Sequence, residues 1–329
     1  MENSVELNKQ FSNSDLAEKQ RESLVHAPSE LDLEKERKRQ KVLKILKNVL
    51  VYTFLAIVAI MSFLPFYWMI MSSFKTEPEY RQAVPTFFPH DFTFRNYPAV
   101  LKQATMGTAN FFDILLNTLI VGIISTGLGL VITIITAYAL ARMEFKGKNL
   151  LFTLMLGTMM IPGEMFTLTN YITVNKFGWA DTYTVMIVPF MVSIYYIYLL
   201  RNNFKQIPNS LYQAAKVDGL SDMGYLVKVM VPLTAPTLIS VTLLKFIGTW
   251  NSYIWPRLVN AKEMQLITNW VSGGFTDKLN LYNGMYNSSD SLTTLKMAAV
   301  CIVSLPLFLL FVFFRKYIMH GVSKSGTKG

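Results

Sequence analysis

Apolar residues along this chain fall into six long runs, and polar and charged residues concentrate between them. A helix needs about 20 predominantly apolar residues to cross the hydrocarbon core of a bilayer, and each run has about that length. The runs cover residues 48–74, 114–141, 150–175, 182–200, 231–256 and 297–314. Only Glu164 in the third run and Lys245 in the fifth interrupt them. The pattern predicts an all-α membrane protein with six transmembrane helices.

The distribution of positive charge predicts how these helices are oriented. With the N-terminus inside, 21 of the 31 Lys and Arg residues lie on the inner side and 9 on the outer side. Positive charge accumulates on the cytoplasmic side of membrane proteins, so we expect both termini to be cytoplasmic. Topology thus accounts for the net charge of +10, and no nucleic acid partner is expected. The single cysteine, Cys301, allows neither a disulfide framework nor a thiolate metal site.

The chain divides by composition into a polar extension and a membrane domain. Residues 1–42 are rich in Glu, Lys, Ser and Gln, a composition that does not support a packed core, and they are predicted to be a disordered, basic cytoplasmic extension. Its last part either lies at the membrane surface as an amphipathic helix or simply supplies positive flanking charge. Residues 43–329 form the membrane domain, with a polar loop at 205–232 between the fourth and fifth spans.

This polar loop has the signals of two short helices. Ser210 and Gln213 fit a capping box, and Gly219 is placed to end the first helix in a left-handed conformation. Ser221 is placed to cap the second helix. Ala215 and Gly219 are four residues apart and are expected to share a face that admits another surface closely. That surface is either a cytoplasmic partner or, if the helix lies on the bilayer, the lipid boundary.

Several motifs in order along the chain resemble one family. The segments YQAAKVDG (212–219) and VMVPLTAP (229–236) resemble the EAA loop of ABC importer permeases. Seven further motifs are similar to the carbohydrate importer permeases of the maltose type: PFYWMIMSSFK (65–75), FTFRNY (92–97), NTLI (117–120), AYALAR (137–142), MIPGEM (160–165), WNSYIWP (250–256) and the closing HGVSKSGTKG (320–329). The resemblance covers nearly the whole chain after the N-terminal extension and fits the six-span permease subunit.

The resemblance implies which residues meet the ATP-hydrolysing subunit. In the family the EAA loop forms a coupling helix that lies in a cleft of the ATPase, a role that would be carried here by Gln213, Ala214, Ala215, Asp218, Gly219 and Pro232. The family usually has Glu where this chain has Gln213, so an ion pair of that acid with the ATPase would be lost. The C-terminal Lys328 and Gly329 would reach the interface between the ATPase subunits, or else form a solvated basic tail.

The resemblance also implies the partners. They are a second permease subunit, two ATPase subunits, an external solute-binding protein, a carbohydrate substrate and the lipid of a bacterial cytoplasmic membrane. ATP and Mg²⁺ would be bound by the ATPase subunits, because the sequence lacks the P-loop pattern GxxxxGK[ST]. The expectation for this chain is a transport subunit without catalytic residues, directly bound cofactor or metal site.

Polar residues within the spans are candidates for the translocation path. Glu164 follows Pro162-Gly163, which is expected to break the third span, and either faces the path or is satisfied near the outer interface. Trp250 and Asn251 combine an aromatic face with an amide, a pairing that suits sugars, although interfacial tryptophans are also ordinary membrane anchors. Lys245 is expected to extend to an interface or to pair with an acid.

Two other function classes remain open at this point. A secondary transporter or channel for sugars or other small solutes would use an ion gradient, and such proteins often carry internal repeats and several buried acids. Only one clear intramembrane acid and no internal repeat are found in this sequence. A membrane scaffold that transports nothing is the third class, and a neighbouring gene for a Walker-motif ATPase would argue against it.

Overall fold

A computed structural model describes residues 30–102, 110–260, 264–273, 275, 281–282, 285–286 and 291–323. Every regular element in these ranges is helical, which confirms the all-α prediction. The α-helices are α1 Glu30–Ser73, α2 Glu77–Tyr80, α3 Asn96–Lys102, α4 Phe111–Arg142, α5 Lys148–Thr158, α6 Thr167–Lys176, α7 Tyr183–Ile187, α8 Ile194–Lys205, α9 Asn209–Val217, α10 Asp222–Tyr225, α11 Val231–Leu233, α12 Ala235–Trp250, α13 Ile254–Val259, α14 Ile267–Ser272 and α15 Thr293–Ser323. Two 3₁₀ turns (Gly163–Phe166 and Val188–Phe190) and a π turn (Leu226–Met230) join some of them.

The six predicted spans correspond to three continuous helices and three bent pairs. Within the described residues, Arg37–Ser73, α4 and Thr293–Tyr317 are each long and apolar enough to cross a membrane. The pair α5 and α6 is bent by 82°, the pair α7 and α8 by 45°, and the last pair, Asp222–Leu233 with α12, by 82°. Counting each pair as one span gives six.

Each bend contains a proline. Pro162, Pro189 and Pro236 lie at or beside the three breaks, where the missing N–H and the ring interrupt the helical hydrogen bonds. The break predicted at Pro162-Gly163 is therefore confirmed. Proline alone is not sufficient, because Pro65 and Pro306 lie inside continuous helices.

Residues up to Tyr67 form one of two compact units. The described side chains of α1 from Glu34 to Phe66 are exposed, and Lys38 pairs with Glu34 at 3.3 Å, one turn away. The prediction of disorder for residues 1–42 is wrong for residues 30–42, because this Glu-, Lys- and Leu-rich segment consists of good helix formers and continues directly into the span. Residues 1–29 lie outside the described part of the chain.

The second unit, from Trp68 onward, is built around α4. Helix α4 packs against α8 and α12, and α12 packs in turn against α15. A Cβ atom on Gly122 would lie 2.8 Å from the ring of Phe246, so the glycine allows α4 and α12 to approach closely. One hydrophobic cluster forms near the start of α4 around Trp250 and Trp270, and another near its end around Phe204, Tyr225 and other buried residues.

A network of buried polar groups fixes the segment after α1. The carboxylate of Glu77, which is fully buried, accepts hydrogen bonds from the backbone N and the Oγ1 of Thr294, both at 2.9 Å. It also pairs with Arg81 at 2.8 Å. Thr294 lies in the first turn of α15, where backbone N–H groups have no partner within the helix. The Glu77 carboxylate accepts a hydrogen bond from one of these groups, and its negative charge interacts favourably with the positive end of the helix dipole. This carboxylate thus joins the first inter-span segment to the last span.

Candidate functional site

The polar loop between the fourth and fifth spans forms a helical elbow, residues 209–230. Helix α9 ends in a Schellman motif, in which the N–H of Leu220 bonds to the carbonyl of Ala215 at 2.9 Å and that of Gly219 to the carbonyl of Lys216 at 3.1 Å. Gly219 has φ +78°, so its predicted left-handed conformation is confirmed. The reversal after Gly219 directs the chain into α10.

The start of α9 differs from the prediction. Pro208 occupies the N-cap position and no side chain caps the helix, so the predicted capping box of Ser210 and Gln213 is wrong. Proline fixes its own extended backbone and makes Asn209 the first helical residue, which places Ser210 inside the first turn. The predicted cap of the second helix is confirmed, because Ser221 Oγ accepts a hydrogen bond from the N–H of Gly224 at 3.1 Å.

Asp222 ties the two helices of the elbow together. Its Oδ1 accepts a hydrogen bond from the Tyr212 hydroxyl at 2.8 Å and pairs with Lys216 Nζ at 2.8 Å. The hydrogen bond from Lys216 to Asp222 raises the pKa of the lysine above its ordinary value of 10.5. Tyr212 also packs edge-on against Tyr225, with ring centroids 5.1 Å apart. These contacts connect α9 with α10 and hold the bend between them.

The small residues of the elbow do not form a common outer face. Ala215 is buried in the cluster with Tyr225 and Leu226, so its small side chain lets α10 approach α9 within the chain. The expectation that Ala215 and Gly219 share a partner-facing surface is wrong, because Gly219 lies beyond the helix end, where the four-residue spacing no longer applies. Five of the exposed residues, Gln213, Ala214, Val217, Asp218 and Gly219, are called the coupling surface below.

The elbow is attached to the ends of two spans. At the end of α4, Arg142 Nη2 donates to the backbone carbonyls of Phe204, at 3.1 Å, and of Ile207. One turn earlier on the facing helix, Arg201 Nε donates to the carbonyl of Leu140 at 3.1 Å. Leu140 and Phe204 lie in the last turns of their helices, where carbonyls lack an α-helical N–H partner. The end of α4 is thus bonded to the segment that leads into the elbow, and Ala137 and Tyr138 of α4 share a buried cluster with the elbow itself.

After α10 the elbow continues as the π turn 226–230 and then α11. π turns are uncommon and often occur at functional positions, since the extra residue widens the helix. The predicted coupling residue Pro232 is exposed in α11, two residues before the bend at Thr234. Lys328 and Gly329 lie outside the described residues.

The three candidates for the translocation path have different environments. Glu164 is exposed in the 3₁₀ turn at the bend between α5 and α6. Trp250 is buried, 5.9 Å from Phe246 between ring centroids, whereas Asn251 is exposed at the end of α12. Their role in translocation stays a prediction.

A cavity that the sequence patterns did not predict lies between α4, α8 and α12. Its volume is about 190 Å³, and its wall includes Ser125, Ser193, Tyr196, Lys245 and Thr249. We call it the Lys245 cavity. Because α12 and α4 place these residues toward the ends that carry Trp250 and Phe111, the cavity lies in the predicted outer half of the bundle.

Lys245 is buried within this wall. Its Nζ donates to the backbone carbonyls of Phe190 at 3.2 Å and Met191 at 2.8 Å, which are left free by the break between α7 and α8. A Cβ atom on Gly129 would lie 2.0 Å from Nζ, so α4 leaves room for the ammonium. The lysine neither extends to an interface nor pairs with an acid among the described residues, so both expectations for it are wrong. Its position in an apolar run, together with Pro189, was the signal that could have revealed the site.

Residues 129–324, more than half of the chain, match the family described as "Binding-protein-dependent transport system inner membrane component". The trehalose/maltose transport system permease protein MalG of Thermococcus litoralis is 30% identical over 87% of this chain and 99% of its own length. The polygalacturonan/rhamnogalacturonan transport system permease protein YtcP of Bacillus subtilis is 27% identical over 86% and 98%.

A solved structure shares the fold. It is a bacterial ABC transporter involved in the import of the acidic polysaccharide alginate, with a TM-score of 0.69 and 23% identity. The match covers 85% of this chain and 97% of that chain. The bent spans and the elbow therefore belong to a fold that is already known in a membrane assembly.

Proposed function

Because the chain belongs to the family of binding-protein-dependent transport system inner membrane components, we propose that it is the permease subunit of an ATP-driven carbohydrate importer. The names of similar permeases state trehalose and maltose, polygalacturonan and rhamnogalacturonan, or arabinooligosaccharides, which supports a carbohydrate as the cargo. The observation that carries the proposal is the helical elbow, an ordered polar structure with an exposed coupling surface between two spans.

The proposal includes the partners of the assembly. A second permease completes the membrane pathway, two ATPase subunits bind ATP and Mg²⁺, and an external binding protein delivers the sugar. The coupling surface lies against the ATPase, and Gln213 contributes there without the charge of the usual glutamate. The chain itself has a transport role rather than a catalytic one, in the cytoplasmic membrane of a bacterium.

The mechanism is alternating access. Closure of the ATPase pair on ATP moves the elbow, and the contacts of Arg142 and Arg201 pass this movement to α4 and α8. The bends at the ends of α7 and α11 are where the fourth and fifth spans can change angle. Coupling requires that the ATPase bind the two conformations of the elbow with different affinity, not merely that it be attached.

The test is ATP-dependent uptake by the reconstituted importer carrying Ala214→Arg. Ala214 is exposed on α9, and arginine is a good helix former, so the elbow should fold while the large side chain blocks the ATPase. We expect uptake and ATPase copurification to fall at least about tenfold, the effect of about 1.4 kcal/mol of lost binding. The matched control is Asn149→Arg, an exposed position on the same predicted side but outside the elbow.

The two leading functions give different results in this assay. Normal ATP-driven uptake by Ala214→Arg would contradict the role of the elbow. Uptake that persists without ATPase subunits and collapses when a proton or sodium gradient is dissipated would instead indicate a secondary transporter.

A further inference from the structure

We propose that the Lys245 cavity binds the carboxylate of an anionic sugar residue, such as a hexuronate, during passage through the permease. The inference rests on the proposed function, because it names the class of carbohydrate that this subunit accommodates. Four properties of the cavity support it: charge, free hydrogen-bonding groups, size and position at a helix break.

The first property is an unneutralised charge. Lys245 is 6% exposed, and it forms no ion pair with a carboxylate of the described residues. The two backbone carbonyls that accept from Lys245 are dipoles and leave its formal charge in place. A buried charge in a membrane protein faces a cavity, a pathway or an opposite charge. An anionic ligand supplies the opposite charge.

The second property is the set of hydrogen-bonding groups in the wall. An ammonium has three N–H donors, and the two carbonyls use two of them, which leaves one for a ligand oxygen. Ser125 Oγ is buried in the same wall and has no hydrogen-bond partner among the described residues. The hydroxyls of Ser193 and Tyr196 line the cavity as well. The ammonium of Lys245 can bind the carboxylate of a hexuronate, and the hydroxyls of the wall can form hydrogen bonds with the hydroxyl groups of its ring.

The third property is size. A volume of about 190 Å³ lies below the roughly 300–1,000 Å³ of cavities for drug-sized ligands. It corresponds to about six water molecules at about 30 Å³ each, or to a single sugar residue rather than a chain. The indole N–H of Trp255 donates a hydrogen bond to the carbonyl of Val185. Only the apolar ring surface of Trp255 therefore faces the cavity. The cavity is therefore a subsite for one residue of a longer substrate.

The fourth property is the position beside the broken fourth span. The 45° bend between α7 and α8 frees backbone carbonyls, and Lys245 bonds to two of them. Discontinuous helices commonly line substrate sites in transporters, because irregular backbone at membrane depth needs polar surroundings. A carboxylate that draws the ammonium toward itself weakens the bonds to Phe190 and Met191. Occupancy of the cavity is thereby linked to the angle of this span.

The experiment compares an anionic and a neutral oligosaccharide in the assembled importer. ATP-driven uptake of trigalacturonate and of maltotriose is measured for the wild type and for Lys245→Met. We expect Lys245→Met to lower the uptake of trigalacturonate relative to maltotriose by about tenfold or more, because a charge-assisted hydrogen bond is lost. The matched control is Thr242→Val, which removes a hydroxyl from the same helix outside the cavity wall and should change the ratio less than about twofold.

Several results would overturn the inference. Equal losses for both sugars would mean that Lys245 only braces the helix break, and an unchanged ratio would mean that it does not contact the cargo. A wild type that takes up maltotriose but not trigalacturonate overturns the inference and leaves the proposed function intact. Uptake that does not require ATP contradicts the proposed function instead.

A second measurement does not depend on the folding of Lys245→Met. Ser125→Cys is introduced together with Cys301→Ser, so that this chain has one thiol, and labelling by a small methanethiosulfonate reagent is followed by peptide mass. During ATP-driven turnover, trigalacturonate should slow the labelling several-fold and maltotriose should slow it less. Labelling that trigalacturonate leaves unchanged would place the cavity away from the path of the anionic sugar.

Discussion

Gly219 determines the geometry of the elbow through its backbone rather than through contacts. Its φ of +78° belongs to the left-handed region, and a Cβ atom added there would meet no atom within 4 Å. The cost of any other residue is therefore conformational, about 1–2 kcal/mol for an L-residue in this region. Glycine at position 219 is thus favoured by the local backbone conformation, independently of any partner.

Gly219→Ala should lower the melting temperature of the purified protein, because alanine at this position is strained by about 1 kcal/mol or more. Gly219→Asn should lower it less, since asparagine tolerates the left-handed conformation better. The control is Gly127→Ala inside α4, where the added methyl also meets nothing within 4 Å but the backbone is helical, so stability should not fall. Equal shifts at both glycines, measured by thermal unfolding in detergent, would refute the backbone argument.

Local signals made some residues of the elbow predictable and left others hidden. Gly219 and Ser221 could be predicted, because a left-handed turn and an N-cap depend on residues one to three positions away. Ala215 was placed on the wrong side, since its burial comes from packing against Tyr225 and Leu226, which return to it only after the chain reverses. Asp222 was missed because its bonds to Tyr212 and Lys216 cross from one helix to the other.

At the scale of elements, the segment after α1 depends on carboxylates that hold backbone groups. Glu79 accepts hydrogen bonds from Thr86 Oγ1 at 2.9 Å and from the backbone N–H of His90 at 2.9 Å and of Asp91 at 3.5 Å. Burial opposes its charge, but these hydrogen bonds and the nearby Lys75 outweigh burial and lower its pKa below the ordinary 4.5. The ionised carboxylate thus stabilises this turn.

The lowered pKa fixes the sign of a pH effect. Glu79 contributes its stabilisation above its unfolded pKa of about 4.5 and loses it as the pH falls through the lower folded pKa. Glu79→Gln should therefore lower the melting temperature at pH 7, and this deficit should shrink below about pH 4.5. Asp91→Asn is the control, because only the backbone N–H of Asp91 bonds to Glu79. A deficit that is constant down to pH 3 would exclude a role for the ionised form.

Elements formed by interactions between residues close in sequence could be predicted, whereas those formed by contacts between distant residues could not. Apolar run length predicted the spans, and Pro162-Gly163 predicted a bend, because both act within one helix. Pro65 and Pro306 show that a proline alone does not reveal whether a helix bends. The capping of α15 by Glu77 lies beyond sequence patterns, since Thr294 is 217 residues away along the chain.

For the whole molecule, α4 connects the two regions to which function is assigned. Its first half contributes Ser125 to the wall of the Lys245 cavity, Gly129 just past its middle leaves room for the ammonium, and Arg142 at its end bonds to the segment that leads into the elbow. Helix α8 also reaches both regions, from Tyr196 at the cavity to Phe204 beside the elbow. The elbow and the cavity are therefore connected by two helices that are packed against each other.

This connection predicts an uncoupled importer when Arg142 is replaced. Arg142→Gln shortens the side chain and removes the charge that holds the carbonyls of Phe204 and Ile207, while the coupling surface stays intact. ATP hydrolysis by the assembled importer should remain within about twofold of the wild type. Sugar transported per ATP should fall about tenfold, as expected for the loss of about 1.4 kcal/mol of coupling free energy.

The control for this prediction is Lys146→Gln, which removes an exposed charge from the same loop. Its ratio of transported sugar to hydrolysed ATP should equal that of the wild type. If Arg142→Gln lowers hydrolysis and uptake in equal proportion, the arginine supports docking or folding rather than transmission. If Arg142→Gln leaves the ratio of transported sugar to hydrolysed ATP unchanged, the elbow acts on the cavity through α12 and not through the contacts of Arg142. Helix α12 is the alternative because it follows the elbow along the chain and contributes Lys245 to the cavity wall.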